Sequence, residues 1–163
     1  MKWLIITLIL LFVLYRLPLT GTPPQEMIDK AKEIDSMSKD KLELTKNIYL
    51  FINNSYTSPI RQYIKETNKV FMKDKTKIWN ARGSYMASHQ QNLMAEEMLL
   101  LTGKFNQNDF TMVQGFCEIS PHSVLFVKVE NKKIAIDTWF ADNGGGFNCF
   151  TSAPCGVEQK KCL

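Results

Sequence analysis

Between residues 27 and 52 the apolar positions recur at helical intervals. Met27, Ala31 and Ile34 mark one face, and after the polar stretch 35–40 a second run sets Leu42, Ile48, Tyr49, Phe51 and Ile52 at mostly helical spacing. Two helices are predicted here. Asn53-Asn54-Ser55 ends the second, and Ser58-Pro59 turns the chain. Residues 60–77 hold no single period and read as an irregular insert with a short helix. Residues 78–85, with Trp79 and Gly83, read as an approach loop. From 88 to 101 there is neither glycine nor proline, and Thr102-Gly103 supplies a stop, so a helix is predicted over Ser88–Leu101. Beyond Gly103 the texture changes. Segments 110–118, 123–130 and 133–139 are rich in Val, Ile and Phe, with Asn131-Lys132 as a tight hairpin turn between the last two. A helix followed by consecutive antiparallel strands predicts an α+β fold with the helix laid on an antiparallel sheet.

Residues 3–15 form a run of 13, apolar but for Thr7, preceded by Lys2 and ended by Arg16 and Pro18. A spanning helix needs about 20 apolar residues, so the natural reading is a secretory signal or an uncleaved signal-anchor over 1–19. The chain of 163 residues, even with that segment set aside, is long enough for one core. Its expected parts are a linker and helical segment over 20–40, a domain over 41–148 and a Cys-rich tail over 149–163. Setting aside Lys2 and Arg16 leaves 18 basic against 16 acidic residues, and no basic stripe interleaves with aromatics. Nucleic acid is therefore not an expected partner. Four cysteines fit an exported chain: Cys117, Cys149, Cys155 and Cys162. Their spacing lacks the paired CxxC of a zinc site, and disulfides are expected, one of them stapling the C-terminal loop. The connectivity stays open among three arrangements. In a reducing cytosol the same residues would be free thiols.

Three residues carry candidate chemistry. Ser88 opens the predicted helix, where unpaired N–H groups and the positive end of the helix dipole favour an oxyanion or an activated nucleophile. His122 begins a strand, and Asp137 ends the next. A nucleophile needs a base in hydrogen-bond reach, and the base needs an acceptor that fixes its tautomer, so this helix–strand–strand order can assemble such a set. The plainer reading of Ser88 is an N-cap.

Ala87-Ser88-His89-Gln90-Gln91-Asn92, the helix closed by Leu101-Thr102-Gly103, Pro121-His122 and Ile136-Asp137-Thr138-Trp139 follow in an order that resembles the transglutaminase-like superfamily, a branch of the papain-like cysteine enzymes. The resemblance spans residues 45–140. It implies a transglutaminase-like fold with Ser88 in the position of a nucleophilic Cys, His122 as base and Asp137 as orienting acid. It also implies pocket-lining roles for Trp79, Gln91 and Trp139, a peptide or protein ligand, and no metal or cofactor.

A serine hydroxyl stays neutral where a thiol near pKa 8.5 would pair with imidazole, so thiolate chemistry is expected to be lost. Two functions follow as expectations for a membrane-anchored or secreted, extracytoplasmic protein. One is a pseudoenzyme whose cleft binds a peptide or cell-envelope component. The other is an active Ser-His-Asp amidase, protease or transamidase. Cys117, five residues before His122, is a further candidate nucleophile, with a disulfide or buried thiol as its plainer role.

Overall fold

The computed structural model describes residues 13, 17–57, 66–117, 120–142, 146–151 and 160–162. Of segment 1–19, expected from the sequence to be a signal or anchor, only residues 13 and 17–19 are among them. Among the described residues no helix is long and apolar enough to cross a membrane.

Two helices open the fold, α1 (Gln25–Met37) and α2 (Lys41–Ser55). Asp40 starts α2 by accepting from the Glu43 backbone N–H at 2.8 Å, which satisfies a donor the first helical turn leaves without a partner. The apolar faces read from the sequence do turn inward. Met27, Ala31, Ile34, Ile48, Tyr49 and Ile52 are buried in one core, whereas Leu42 and Leu50 reach solvent. The helical part of segment 20–40 thus belongs to that core, and Thr20 is tied to the body by backbone bonds to Lys73 and Lys75.

Two short helices follow, α3 (Thr67–Val70) and α4 (Lys75–Asn80), the second capped by Asp74 accepting from Lys77 N at 2.8 Å. Residues 75–80 are therefore helix where a loop was expected over 78–85. The reason is tertiary: Ile78 and Trp79 are buried in the core, and the Tyr56 hydroxyl donates to the Ile78 carbonyl at 3.0 Å. Helix α5 runs over Ser88–Leu101 and packs against α1, α2 and the sheet. Gly103, at φ 72°, takes the left-handed position after its C-cap, a backbone geometry that costs glycine little.

The sheet holds β1 (Phe110–Cys117), β2 (Ser120–Val129) and β3 (Lys132–Ile136) in that order, all antiparallel. Leu125, Val127, Val129, Ile134 and Ile136 join the helical core, while Val124, Phe126 and Ala135 form a second cluster against Phe150. Helices therefore cover one face of an antiparallel sheet, an α+β architecture. The β2–β3 turn sits one residue earlier than expected. Val129 pairs with Lys132, so Glu130 and Asn131 form the loop, with Glu130 at φ 54°. Strand β3 also stops at Ile136, because Asp137 starts a short helix, α6 (Thr138–Asp142), by accepting from Phe140 N at 2.9 Å. A small hairpin of β4 (Cys149–Thr151) and β5 (Lys160–Cys162) completes the described chain, closed by a Cys149–Cys162 disulfide. One staple of the C-terminal loop is thereby identified. Cys155 and the Cys117 side chain lie outside the described residues.

Candidate active site

Ten polar or charged side chains are buried among the described residues, and nine of them come from three segments: 88–92, 122–123 and 137–138. Burial of polar groups is unfavourable unless they are hydrogen-bonded, so such a concentration in one place marks either a structural network or a working site. Its bonds run between the segments. Asn92, one turn into α5, donates to the Ser123 carbonyl at 2.8 Å and the Ser123 hydroxyl at 3.2 Å. The Thr138 hydroxyl lies 3.5 Å from the Ser88 carbonyl and 3.3 Å from Asn92 Oδ1. The start of α5 is thus stitched to the residues that directly follow His122 and Asp137.

His122 and Asp137 meet. Nε2 of the imidazole lies 3.1 Å from Asp137 Oδ2, and both side chains are almost fully buried. An ionised carboxylate can only accept, so Asp137 fixes the proton on Nε2 and leaves Nδ1, also buried, as the basic nitrogen of the neutral ring. Asp137 is held in turn, since its other oxygen is the cap of α6. One carboxylate does two jobs: it ends the strand and orients the histidine.

Ser88 is the first residue of α5 and not its cap. The N-cap is Ala87, whose methyl offers no acceptor; its own N–H donates to Gln90 Oε1 at 3.2 Å. The plainer reading of Ser88 therefore fails, and its hydroxyl, 5% exposed as a residue, stands at the positive end of a 14-residue helix without a capping duty.

Gln91, one turn after Ser88, donates from Nε2 to the Met86 carbonyl at 2.8 Å, which orients the amide. Its Oε1 is then a buried acceptor with no hydrogen-bond partner among the described residues. Trp79 is placed elsewhere. Its indole donates to Glu26 at 3.2 Å, its ring lies 5.9 Å from that of Phe51, and Arg82 stacks over it at 3.8 Å, and it is buried in the helical core. The Trp139 side chain lies outside the described residues.

Sequence reasoning gave no individual role to His89, Gln90, Asn92, Ser123, Thr138 or Lys73. Gln90 anchors the preceding segment by donating to the Lys69 and Met72 carbonyls at 2.7 and 2.6 Å. His89 is fully buried, and desolvation together with the positive charge of Lys73 holds its pKa well below the ordinary histidine value, so it is neutral. Burial also lowers Lys73, to about 8. The available signal was the run Ser-His-Gln-Gln-Asn, five polar residues without a charge at a helix start, which a solvated face would break with Lys or Glu.

Comparison with family models, with curated proteins and with solved structures finds no match. Among the described residues no group of His, Cys, Asp or Glu is arranged to hold a metal ion.

Proposed function

We propose that the chain is a transglutaminase-like protein, anchored at or exported across a membrane, whose Ser88 site binds a peptide or cell-envelope component without turning it over. The observation that carries this reading is the buried His122–Asp137 pair beside the start of α5. A histidine oriented by a buried carboxylate is what a nucleophile at a helix N-terminus requires, and Ser88 stands at that terminus. The ligand class follows from the groups on offer. Helix N–H groups favour a carbonyl or carboxylate oxygen, and Gln91 Oε1 suits an amide N–H. A peptide carries both.

Turnover is the step the chemistry does not favour. A thiol at this position would ionise against the imidazole, whereas a hydroxyl must give up its proton during attack. A second reading, an active Ser-His-Asp amidase or transamidase, draws on the same 3.1 Å contact, because such a set is competent on other folds. Incubation with a peptide amide separates the two. The binding reading expects no hydrolysis above that of Ser88→Ala, with peptide affinity retained by Ser88→Ala and lost on Gln91→Leu. Hydrolysis by the wild type that Ser88→Ala abolishes would establish the enzyme instead.

A further inference from the structure

The sheet has two outer strands, and the chain treats them differently. An edge strand presents a row of N–H and C=O groups that can pair with another strand, and proteins blunt such edges with lysines, prolines, bulges or a covering segment. β3 is blunted twice: it begins with Lys132-Lys133, and its Ala135 N–H donates to Asn148 Oδ1 at 2.9 Å. β1 carries none of these devices. Its eight residues include no charge and no proline, and they pair one-to-one with β2 without a bulge. Among the described residues, the backbone groups of Thr111–Cys117 bond to nothing beyond the β2 ladder. Val113, midway along, is 50% exposed, the one exposed large apolar side chain among the described residues of the sheet.

The order of residues along this edge says what fits it. Two copies of one strand joined antiparallel are related by a two-fold axis perpendicular to the sheet. Residues opposite each other in an antiparallel ladder share a face, so such an axis passes through a residue that faces its own copy, never between two residues. In Phe110-Thr111-Met112-Val113-Gln114-Gly115-Phe116 a Phe stands three positions to either side of Val113. An axis at Val113 lays the exposed valine against its own copy and sets Phe110 opposite Phe116 at both ends, an aromatic pair of the kind that stabilises sheets. An axis one residue away loses both matches, because Phe110 then faces Gln114 or Phe116 faces Met112. The lack of charge fits the same partner, since a charge on the axis would face itself.

We propose that β1 is a homodimerisation edge: two copies of the chain pair antiparallel through residues 110–116 about a two-fold axis at Val113, joining two three-stranded sheets into one with both helical layers on the same side. The Ser88 site takes no part in this contact, and neither conclusion depends on the other.

Sedimentation velocity of the full chain, dispersed in a mild nonionic detergent, tests the pairing. The wild type is a dimer that dissociates on dilution. Val113→Lys and Val113→Glu each weaken it at least about tenfold, because like charges meet on the axis. An equimolar mixture of the two variants regains the dimer, since Lys then faces Glu, and this recovery also shows that both variants are folded. Leu50→Lys, on the exposed face of α2, leaves the dimer unchanged. In non-reducing gels Val113→Cys gives a cross-linked dimer, whereas Thr111→Cys, whose two copies lie about 13 Å apart along the strands, does not. A wild type that stays monomeric up to about 100 μM overturns the proposal. So does a dimer that survives Val113→Lys, a mixture that stays monomeric, or cross-linking through residue 111 in place of 113.

Discussion

Asp137 offers the sharpest separation of structure from chemistry, since one of its oxygens caps α6 and the other orients His122. Asp137→Ala removes both. Loss of an N-cap costs about 1 kcal/mol, and a buried imidazole N–H left without an acceptor costs roughly 1–3 kcal/mol more. The sum, about 2–4 kcal/mol, corresponds to a melting decrease of roughly 5–15 °C for a domain of this size. Asp137→Asn behaves differently. Asparagine is as good a cap, so its side-chain oxygen can keep the Phe140 N–H and the stability loss should stay below about 1 kcal/mol. Its amide nitrogen then faces His122 Nε2 and donates, which moves the ring proton to Nδ1 and removes the basic nitrogen from that side. Urea denaturation measures the first effect. Alkylation of a Ser88→Cys variant with and without Asp137→Asn measures the second, with the enhancement lost in the double variant. The reasoning is refuted if Asp137→Asn unfolds as readily as Asp137→Ala, or if the double variant keeps the reactivity of Ser88→Cys.

His89, neutral and buried in the folded chain, takes up a proton only on unfolding near its ordinary pKa of 6.5. Stability is therefore full above about pH 6.5 and falls below it by up to about 1.4 kcal/mol per pH unit, and His89→Leu should flatten that limb in denaturation curves from pH 7 to 5. The Cys149–Cys162 disulfide closes a separation of 13 residues, so Cys162→Ser should cost about 3 kcal/mol if the hairpin unfolds with the domain. Non-reducing mass spectrometry of the native chain checks the pairing itself. Glu130, at φ 54°, occupies a left-handed position, so Glu130→Gly should stabilise by roughly 0.5–1 kcal/mol in thermal melts.

The parts of the fold legible in the sequence are those fixed by local pattern. Helix α5 could be bounded because its interior lacks breakers and Gly103 supplies the left-handed stop, and the three strands showed in their Val, Ile and Phe content. Local pattern misled where a tertiary contact decided. Trp79 looked like a loop aromatic because the burial of Ile78 and Trp79 and the Tyr56 bond that stabilise α4 come from distant segments. The hairpin turn was displaced by one residue because Glu130, an unusual choice for positive φ, takes the place a glycine or asparagine would have marked. Ser88 resembled a cap because serine is a preferred cap, and only the backbone geometry moves that role to Ala87. His122 and Asp137 were visible as residue types at a spacing of 15, yet the network through Asn92, Ser123 and Thr138 depends on side chains 31 to 46 residues apart and has no local trace.

On the proposed reading, the start of α5, His122 and Asp137 still form an electrostatic setting made for a thiolate. Iodoacetamide alkylation of Ser88→Cys, followed as a function of pH and compared with the same variant carrying His122→Ala, tests it most directly. The helix dipole and an adjacent imidazolium depress a thiol from about 8.5 to roughly 7 or below, so the account predicts rapid alkylation near pH 6–7 that His122→Ala returns to the rate of an ordinary thiol. A Ser88→Cys thiol that titrates near 8.5 and reacts alike with and without His122 would contradict it.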